Sequence, residues 1–471
     1  MSHSSISHSS SPSFALQLPP DEVLRCPRCG ADSQGGLQPQ QQRCLSCGTQ
    51  FFDLGGMPAW FCNGFEQKSR WNNLLSHSLQ SVAQNLALHR QLGQQVDLLP
   101  ATRERLNAIE AGLIQLMTSI SQVFSQAGLS PQHNPDAPAP QGNGLMHYFE
   151  LVLRDWAWEA AAADGTESEN QAAWRRVETA LLASGGTASL GKVLVLGAGA
   201  GRLSWDLHRH CQPDLSLAVD FNPLLTYIAH HLVHHRAQLA FTELYANPQW
   251  GLPQQRLWPL QAPDTHKNKG WYVMAADAWN LPLAAGQFDL VLTPWFIDVS
   301  GRDVRQLMAS VSRQLKPGGR WLNTGPLLYN GVPPQAHYSH GEIIELLRLG
   351  GFTLVHQSFE QVNFLTSPLS TQTRTEEVWT FAALAPEQLE GGARADAIPA
   401  WLLLPHLPIP LGEPLETQDQ PVLEHLVGLI DGRRSLQDLA AQMAVNLGSE
   451  QEALALAQQI FAQMLGLALP E

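Results

Sequence analysis

KVLVLGAGAGRLSWDL, residues 192–207, reads as an apolar strand, a glycine loop and the first turns of a helix. Val193–Leu196 is a short, β-branched apolar run of the kind buried on both faces of a parallel sheet. Gly197, Gly199 and Gly201 follow at alternate positions. Glycine there permits a tight turn and lets backbone approach a ligand closely. The helix predicted from Arg202 onward offers unpaired N–H groups at its start. The next apolar run, LSLAVD, ends at Asp220, 23 residues after Gly197. A carboxylate at the end of that strand can accept hydrogen bonds from both hydroxyls of a ribose. A dinucleotide loop wants Gly or Ala at its sixth position, and here that position is Arg202, whose bulk opposes close helix–strand packing.

Further out, Leu217–Val219 and Leu290–Thr293 read as two more buried strands, with helical stretches between them. Residues 144–385 are therefore expected to form a doubly wound α/β sheet. Residues 1–20 are rich in Ser, His and Pro and read as a disordered tail. Residues 65–143 read as a helical hairpin and a linker, the helices parting near Pro100 and the linker spanning 128–143. In the second helix Leu106, Ile109, Leu113, Leu116, Ile120 and Val123 make one apolar stripe. Residues 386–410 read as a second linker, and 411–471 as a small, mostly helical domain. There Asp431-Gly432 makes a turn, and Ser435 with Asp438 forms an acidic capping box.

The chain has 471 residues, 44% of them hydrophobic, enough for sizeable cores. Its 28 Lys and Arg against 42 Asp and Glu give a net charge of -14. That balance disfavours a nucleic acid or an anionic membrane surface as partner. The chain holds no apolar run of membrane-spanning length, and its N-terminus has neither the basic nor the apolar region of a signal peptide. A soluble, cytoplasmic protein is expected. Cys26, Cys29, Cys44 and Cys47 form two C-x-x-C pairs with 14 residues between them, and glycine follows each pair, at Gly30 and Gly48. Two such knuckles suit a closed, structural zinc site over residues 21–64. Cys62 and Cys211 read as ordinary buried thiols. The run His230, His231, His234 and His235 has helical spacing, and we read it as a polar helix face in preference to a metal site.

The Gly-x-Gly-x-Gly spacing resembles the S-adenosylmethionine loop of class I methyltransferases, which implies a Rossmann-like sheet. In that pattern Asp277 and Ala278, in MAADAWNLPL, would reach the adenine, a reading preferred to Asp277 as a helix or turn cap. Three segments resemble the carnosine N-methyltransferase family, also called N2227-like: LVLRDWAWEAA around Arg154, Asp155 and Trp156; the glycine loop with Arg202 and Leu203; and WFIDVSGRDVRQLMASVSRQLKPGGRWLNTGPLLYN, residues 295–330. The resemblance implies methyl transfer to an imidazole nitrogen of a histidine-containing dipeptide, with Asp298 as the acid contacting the imidazole. Tyr329 is a candidate pocket residue or a core tyrosine. The family's next residue is a His that helps hold the dipeptide, and here it is Asn330. The family's later tyrosine-rich stretch corresponds to NFLTSPLSTQTRTEEVWTF, residues 363–381, which has no tyrosine. The cysteine segment resembles zinc-ribbon heads of some bacterial methyltransferases. LVGLIDGRRSLQDLAAQMA resembles small winged-helix-like modules that bind peptides.

The expectation is an S-adenosylmethionine-dependent N-methyltransferase with a carnosine-like acceptor. Gly197, Gly199, Gly201, Arg202, Asp220, Asp277 and Ala278 would serve the cofactor, Asp298, Tyr329 and Asn330 the acceptor. One alternative moves the acceptor to a histidine in a peptide or protein recruited by the C-terminal domain; the ribbon is a second place for a protein partner. Another is a non-catalytic scaffold that senses the cofactor.

Overall fold

The computed structural model describes residues 14–131, 145–161, 165–187, 190–245, 255–297, 299–370, 372–386, 420–432, 434–447 and 449–465, with residues 402, 409, 415 and 417 besides. Residues 1–13 of the tail, 132–144 of the first linker, most of the second linker and Asp298 lie outside the described residues.

Two small hairpins open the fold. Strands β1 (Leu37–Gln38) and β2 (Arg43–Cys44) pair antiparallel, as do β3 (Phe52–Leu54) and β4 (Met57–Trp60). Helix α1 (Gly64–Gly93) and helix α2 (Pro100–Gln126) follow, the second opening on proline, which suits a helix's first turn. The stripe read on α2 is its inner side: Leu106, Leu113, Leu116, Ile120 and Val123 are buried, with Ile109 packed at its edge. Helices α3 (Leu145–Trp156) and α4 (Glu169–Ala183) lead into the sheet, and α4 starts at a capping box formed by Ser168 and Gln171.

Strand β5 (Lys192–Leu196), helix α5 (Arg202–Cys211), strand β6 (Leu215–Asp220) and helix α6 (Pro223–His234) come next. A hairpin of β7 (Ala240–Leu244) and β8 (Gln255–Pro259) separates them from β9 (Trp271–Ala276). The chain continues through β10 (Phe288–Pro294), α7 (Val304–Gln314), β11 (Leu315–Gly325), α8 (His340–Leu349), β12 (Thr353–Asn363) and β13 (Thr375–Leu384). Helices α9 (Pro421–Gly428), α10 (Leu436–Leu447) and α11 (Glu450–Met464) form a separate core around Leu426, Leu436, Leu439 and Phe461. The capping box there is reciprocal: Ser435 N donates to Asp438 Oδ2 at 2.8 Å, and Asp438 N to Ser435 Oγ at 3.1 Å.

Nine strands make the main sheet, in the order β12-β13-β11-β10-β5-β6-β9-β4-β3. From β11 to β4 every neighbour is parallel; β13 runs antiparallel to β11 and to β12. Side-chain alternation sends Val193 and Val195 into one core and Leu194 and Leu196 into another, so both faces are covered. The chain winds outward from β5 through β6 to β9 and then returns to place β10 on the other side of β5. Ligands bind such sheets at this reversal, beyond the carboxyl ends of the strands. The glycine loop lies there.

Candidate active site

Each loop glycine meets a different demand. All three have positive φ, +69° at Gly197, +58° at Gly199 and +86° at Gly201, where side chains are strained. A Cβ on Gly197 would sit 2.3 Å from the Phe296 ring, and one on Gly201 would sit 2.8 Å from the Ala229 Cβ on α6. A Cβ on Gly199 would meet nothing within 4 Å. The first and third glycines thus allow packing, and the middle one presents open backbone.

Asp220, at the end of β6, is tied to this loop. One carboxylate oxygen accepts from Gly199 N and the other from Asn222 N, both at 2.8 Å. Burial pushes its pKa up to about 6 in spite of these donors. A carboxylate has about four acceptor sites, so others are left for hydroxyls. Asp277 follows the neighbouring strand β9, whose Ala275 pairs with Asp220. It caps its own turn, accepting from Trp279 N at 3.0 Å and from Asn280 Nδ2 at 3.2 Å. The next residue, Ala278, takes the Ser310 hydroxyl on its carbonyl at 3.1 Å.

Arg202 was grouped with the cofactor residues from sequence, but its guanidinium is fully engaged by the protein. Nε bridges both oxygens of Asp206 at 3.0 Å, Nη1 donates to the Asp155 carbonyl at 2.8 Å, and Nη2 pairs with Glu159. Burial opposes its charge, yet Asp206 and Glu159 outweigh burial and raise its pKa. The RDW segment supplies the other half of this staple. Asp155 caps α5 by accepting from Arg202 N at 3.4 Å, and Trp156 Nε1 donates to the Ala200 carbonyl at 2.8 Å. The bulk at the sixth loop position is therefore drawn toward α3. Two motifs 47 residues apart are one structural unit. An arginine beside a glycine loop needs a buried acid, and that was the signal for Asp206 and Glu159.

Beyond β10 lies the segment expected from sequence to face the acceptor. Trp295, at φ +49°, stacks on Phe364 with ring centroids 4.3 Å apart. A Cβ on Gly325 would lie 2.9 Å from the Trp295 Cα, so β11 needs glycine there. Phe296, against the glycine loop, stacks on Trp279 at 5.9 Å, and the Arg302 guanidinium lies 4.9 Å from the Trp279 ring. Glu169 anchors the far loop by accepting from Leu365 N at 3.1 Å and Thr366 N at 2.8 Å. A cavity of about 670 Å³ opens beside it, lined by Glu150, Phe364, Leu365, Ser370, Gln372 and Arg374 among others. Phe364, which lines this cavity, was not among the residues singled out from sequence, having no charge to mark it.

Tyr329 is buried among Val332, Ala336 and Ile343. Its hydroxyl donates to the Tyr338 carbonyl at 2.5 Å and its ring stacks on His337 at 5.3 Å. It has the contacts of a core tyrosine with a satisfied hydroxyl. Asn330 is exposed. Asp298 lies outside the described residues, between Ile297 and Val299.

The four paired cysteines converge. Their Sγ atoms all lie within 4.8 Å of one another, with Cys26–Cys47 and Cys29–Cys44 both at 3.6 Å. Four thiolates about 2.3 Å from a tetrahedral zinc stand about 3.8 Å apart, so the donor set fits that metal. The two knuckles match: Gly30 N donates to the Cys26 carbonyl and Gly48 N to the Cys44 carbonyl, both at 2.9 Å, with φ of +74° and +73°.

The histidine run is not a polar face, which corrects the reading from sequence. His230 and His231 are 1% and 2% exposed, because α6 is enclosed on every side. Phe14 stacks on His235 at 4.1 Å, so residues 14–20 of the segment read as a tail lie against the fold, with Gln17 N donating to the Gly56 carbonyl at 2.9 Å. Among the described residues, only the cysteines bring three or more metal-binding groups together.

Strand order, glycine loop and Asp220 together define a Rossmann-like methyltransferase fold. Residues 141–382, just over half of the chain, match the model of the carnosine N-methyltransferase family, and the chain belongs to that family. It is 30% identical over 107 residues to a carnosine N-methyltransferase of Dictyostelium discoideum, covering 23% of this chain and 19% of that one. With the Mus musculus carnosine N-methyltransferase the identity is 27% over 152 residues, 29% of this chain and 36% of that one. The chain thus spans between about a fifth and a third of these relatives' lengths. Among solved structures, the N-methyltransferase NodS of Bradyrhizobium japonicum aligns with TM-score 0.31 and 15% identity, over 48% of this chain and 100% of that one. The class assignment rests on the strand order and loop described above, not on that likeness. Among the described residues no helix is long and apolar enough to cross a membrane.

Proposed function

We propose that this chain is an S-adenosylmethionine-dependent N-methyltransferase acting on an imidazole nitrogen of a histidine-containing small molecule or dipeptide. The observation that carries this reading is the open backbone at Gly199, hydrogen-bonded to the buried Asp220, in a chain of this family. The backbone of Gly197, Gly199 and Gly201 would take the amino-acid end of the cofactor, Asp220 the ribose hydroxyls, and Asp277 with Ala278 the adenine. Bound there, S-adenosylmethionine supplies a methyl group on a sulfonium, open to in-line displacement.

The acceptor needs no strong base. A neutral imidazole carries one unprotonated, nucleophilic nitrogen. The protein has to choose the tautomer and hold the ring, and a carboxylate accepting the other N–H does both. Asp298 has that role in our reading. Tyr329 would act through the wall it builds with Tyr338 and His337, and Asn330 would stand at the rim. Incubating the protein with methyl-labelled donor and a panel of histidine compounds and peptides tests the proposal. Label on an imidazole nitrogen supports it, and no transfer to any member sinks it.

Asn330 and the tyrosine-free stretch 363–381 favour a second reading, in which the acceptor is a histidine within a peptide or protein. Under that reading, deleting residues 400–471 abolishes peptide turnover; under the first, dipeptide turnover persists. The four cysteines are proposed to hold one structural zinc ion, and such thiolates suit the reducing cytoplasm. Metal analysis should find one zinc per chain, falling to none in Cys26→Ser/Cys44→Ser. Metal-free native protein would refute it.

A further inference from the structure

The sheet does not end at β9. Strand β4 hydrogen-bonds parallel to it, with Ala59 opposite Ala275 and Trp60 opposite Ala276. The chain therefore leaves β4 at Phe61 alongside Asp277, on the edge that carries Asp220. Trp60 is fully buried and stacks on Phe51 at 4.6 Å, which fixes this exit. Cys62, next along, feels the site: burial and then the Asp277 carboxylate push its thiol up to about 12.

Phe221, the residue after Asp220, is a large apolar ring left 42% exposed. Phe61 meets it edge-on at 5.5 Å and 89°, and Trp71 of α1 at 6.5 Å and 77°. Phe61 and Trp71 also meet each other edge-on, at 5.3 Å and 84°. The Arg70 guanidinium lies 5.9 Å from the Phe221 ring centroid. These three holding side chains come from residues 61–71, outside the segment that matches the family. An apolar ring clamped this way and still open to solvent is suited to receive a flat partner.

We propose that the ribbon exit and helix α1 complete the cofactor pocket, Phe61 and Trp71 being positioning residues that hold the Phe221 ring as a platform for the adenine. This rests on the S-adenosylmethionine reading above. It makes the N-terminal unit a working part of the cofactor site, although its sequence lies outside the methyltransferase segment.

The test is calorimetric titration of S-adenosylhomocysteine into the full-length native chain, Phe61→Leu and Phe61→Tyr. Base–aromatic stacking contacts of this kind change affinity by about tenfold or more. Phe61→Leu should therefore weaken binding about tenfold and raise the KM for the methyl donor similarly. The kcat, the acceptor KM and the metal content should hold, and Phe61→Tyr should restore affinity. Equal binding by Phe61→Leu overturns the proposal, and so does a loss that Phe61→Tyr fails to rescue. A native chain that binds no S-adenosylhomocysteine instead defeats the cofactor reading itself. Hydrogen exchange on the native chain decides the matter if Phe61→Leu does not fold. Ligand should slow exchange in residues 61–72 as well as at the glycine loop, and slowing at the loop alone overturns the proposal.

Discussion

Asp298→Asn is expected to bind S-adenosylhomocysteine as tightly as the native chain and to turn over at least about a hundredfold more slowly. Methyl transfer from a sulfonium to an imidazole nitrogen leaves the ring cationic. A carboxylate on the opposite N–H stabilises that developing charge and holds the tautomer in which the attacking nitrogen is bare. An asparagine amide can accept the same hydrogen bond, but it carries no charge and can turn its NH₂ to the ring, favouring the wrong tautomer. Where an aspartate orients a histidine in a catalytic triad, this exchange costs roughly 10⁴ in kcat. In our reading the acceptor ring would be held by other contacts as well, so a smaller factor is expected. Binding is spared because the residues proposed for the cofactor, Asp220, Asp277 and the glycine loop, are untouched. Steady-state turnover beside a titration of the demethylated product checks both halves, and unchanged turnover removes Asp298 from the mechanism.

The central sheet could be read because its strands are buried on both faces. Val193–Leu196, Leu217–Val219 and Leu290–Thr293 lie within β5, β6 and β10, and the structure lengthens them only at their ends. Continuous apolar runs leave little choice of element when both faces need cover. Strands β3 and β4 gave no such signal. They are 3 and 4 residues long, and their place at the sheet edge depends on pairing with β9, more than 200 residues away in the chain. Non-local pairing leaves no period in the sequence.

Asp220, Asp277 and the glycines stood out in the sequence because they follow apolar strands, and the structure places them together at the carboxyl edge of the sheet. Arg202 was legible as an oddity but not as a staple, since its partners Asp155 and Glu159 lie on a distant segment. Phe364, on the cavity wall, is an apolar ring of the kind found in any core. The histidine run was misread because helical spacing shows which residues share a face and not what the face meets. Here it meets Phe14, the β3–β4 turn and Trp271.

That enclosure gives the chain a steep acid limit. Neither ring nitrogen of His230 has a hydrogen-bond partner among the described residues. Its ring lies 4.9 Å from His234 and 5.2 Å from His231, centroid to centroid. Burial, reinforced by neighbouring imidazoles, pushes His231 and His234 down to about 4 from 6.5, and His230 well below its ordinary value. These bases have folded pKa values below their unfolded ones, so protons bind the unfolded chain first. Stability is intact above the unfolded value of 6.5 and is lost as pH falls from there toward 4. At pH 5 His231 and His234 each contribute a loss of about 2 kcal/mol, and His230 adds to it in the same direction. Asp220 works the other way, because its folded pKa is raised, and protonating it relieves about 1 kcal/mol over the same range. The net fall is a large share of the stability of many domains. Urea midpoints, followed by tryptophan fluorescence, should drop sharply between pH 7 and pH 5, well above the range where ordinary carboxylates titrate. His230→Leu fills the same apolar space without a titrating group, so its midpoint should fall less over that interval. A flat midpoint in the native chain, or an identical fall in His230→Leu, would show that these imidazoles do not govern the transition.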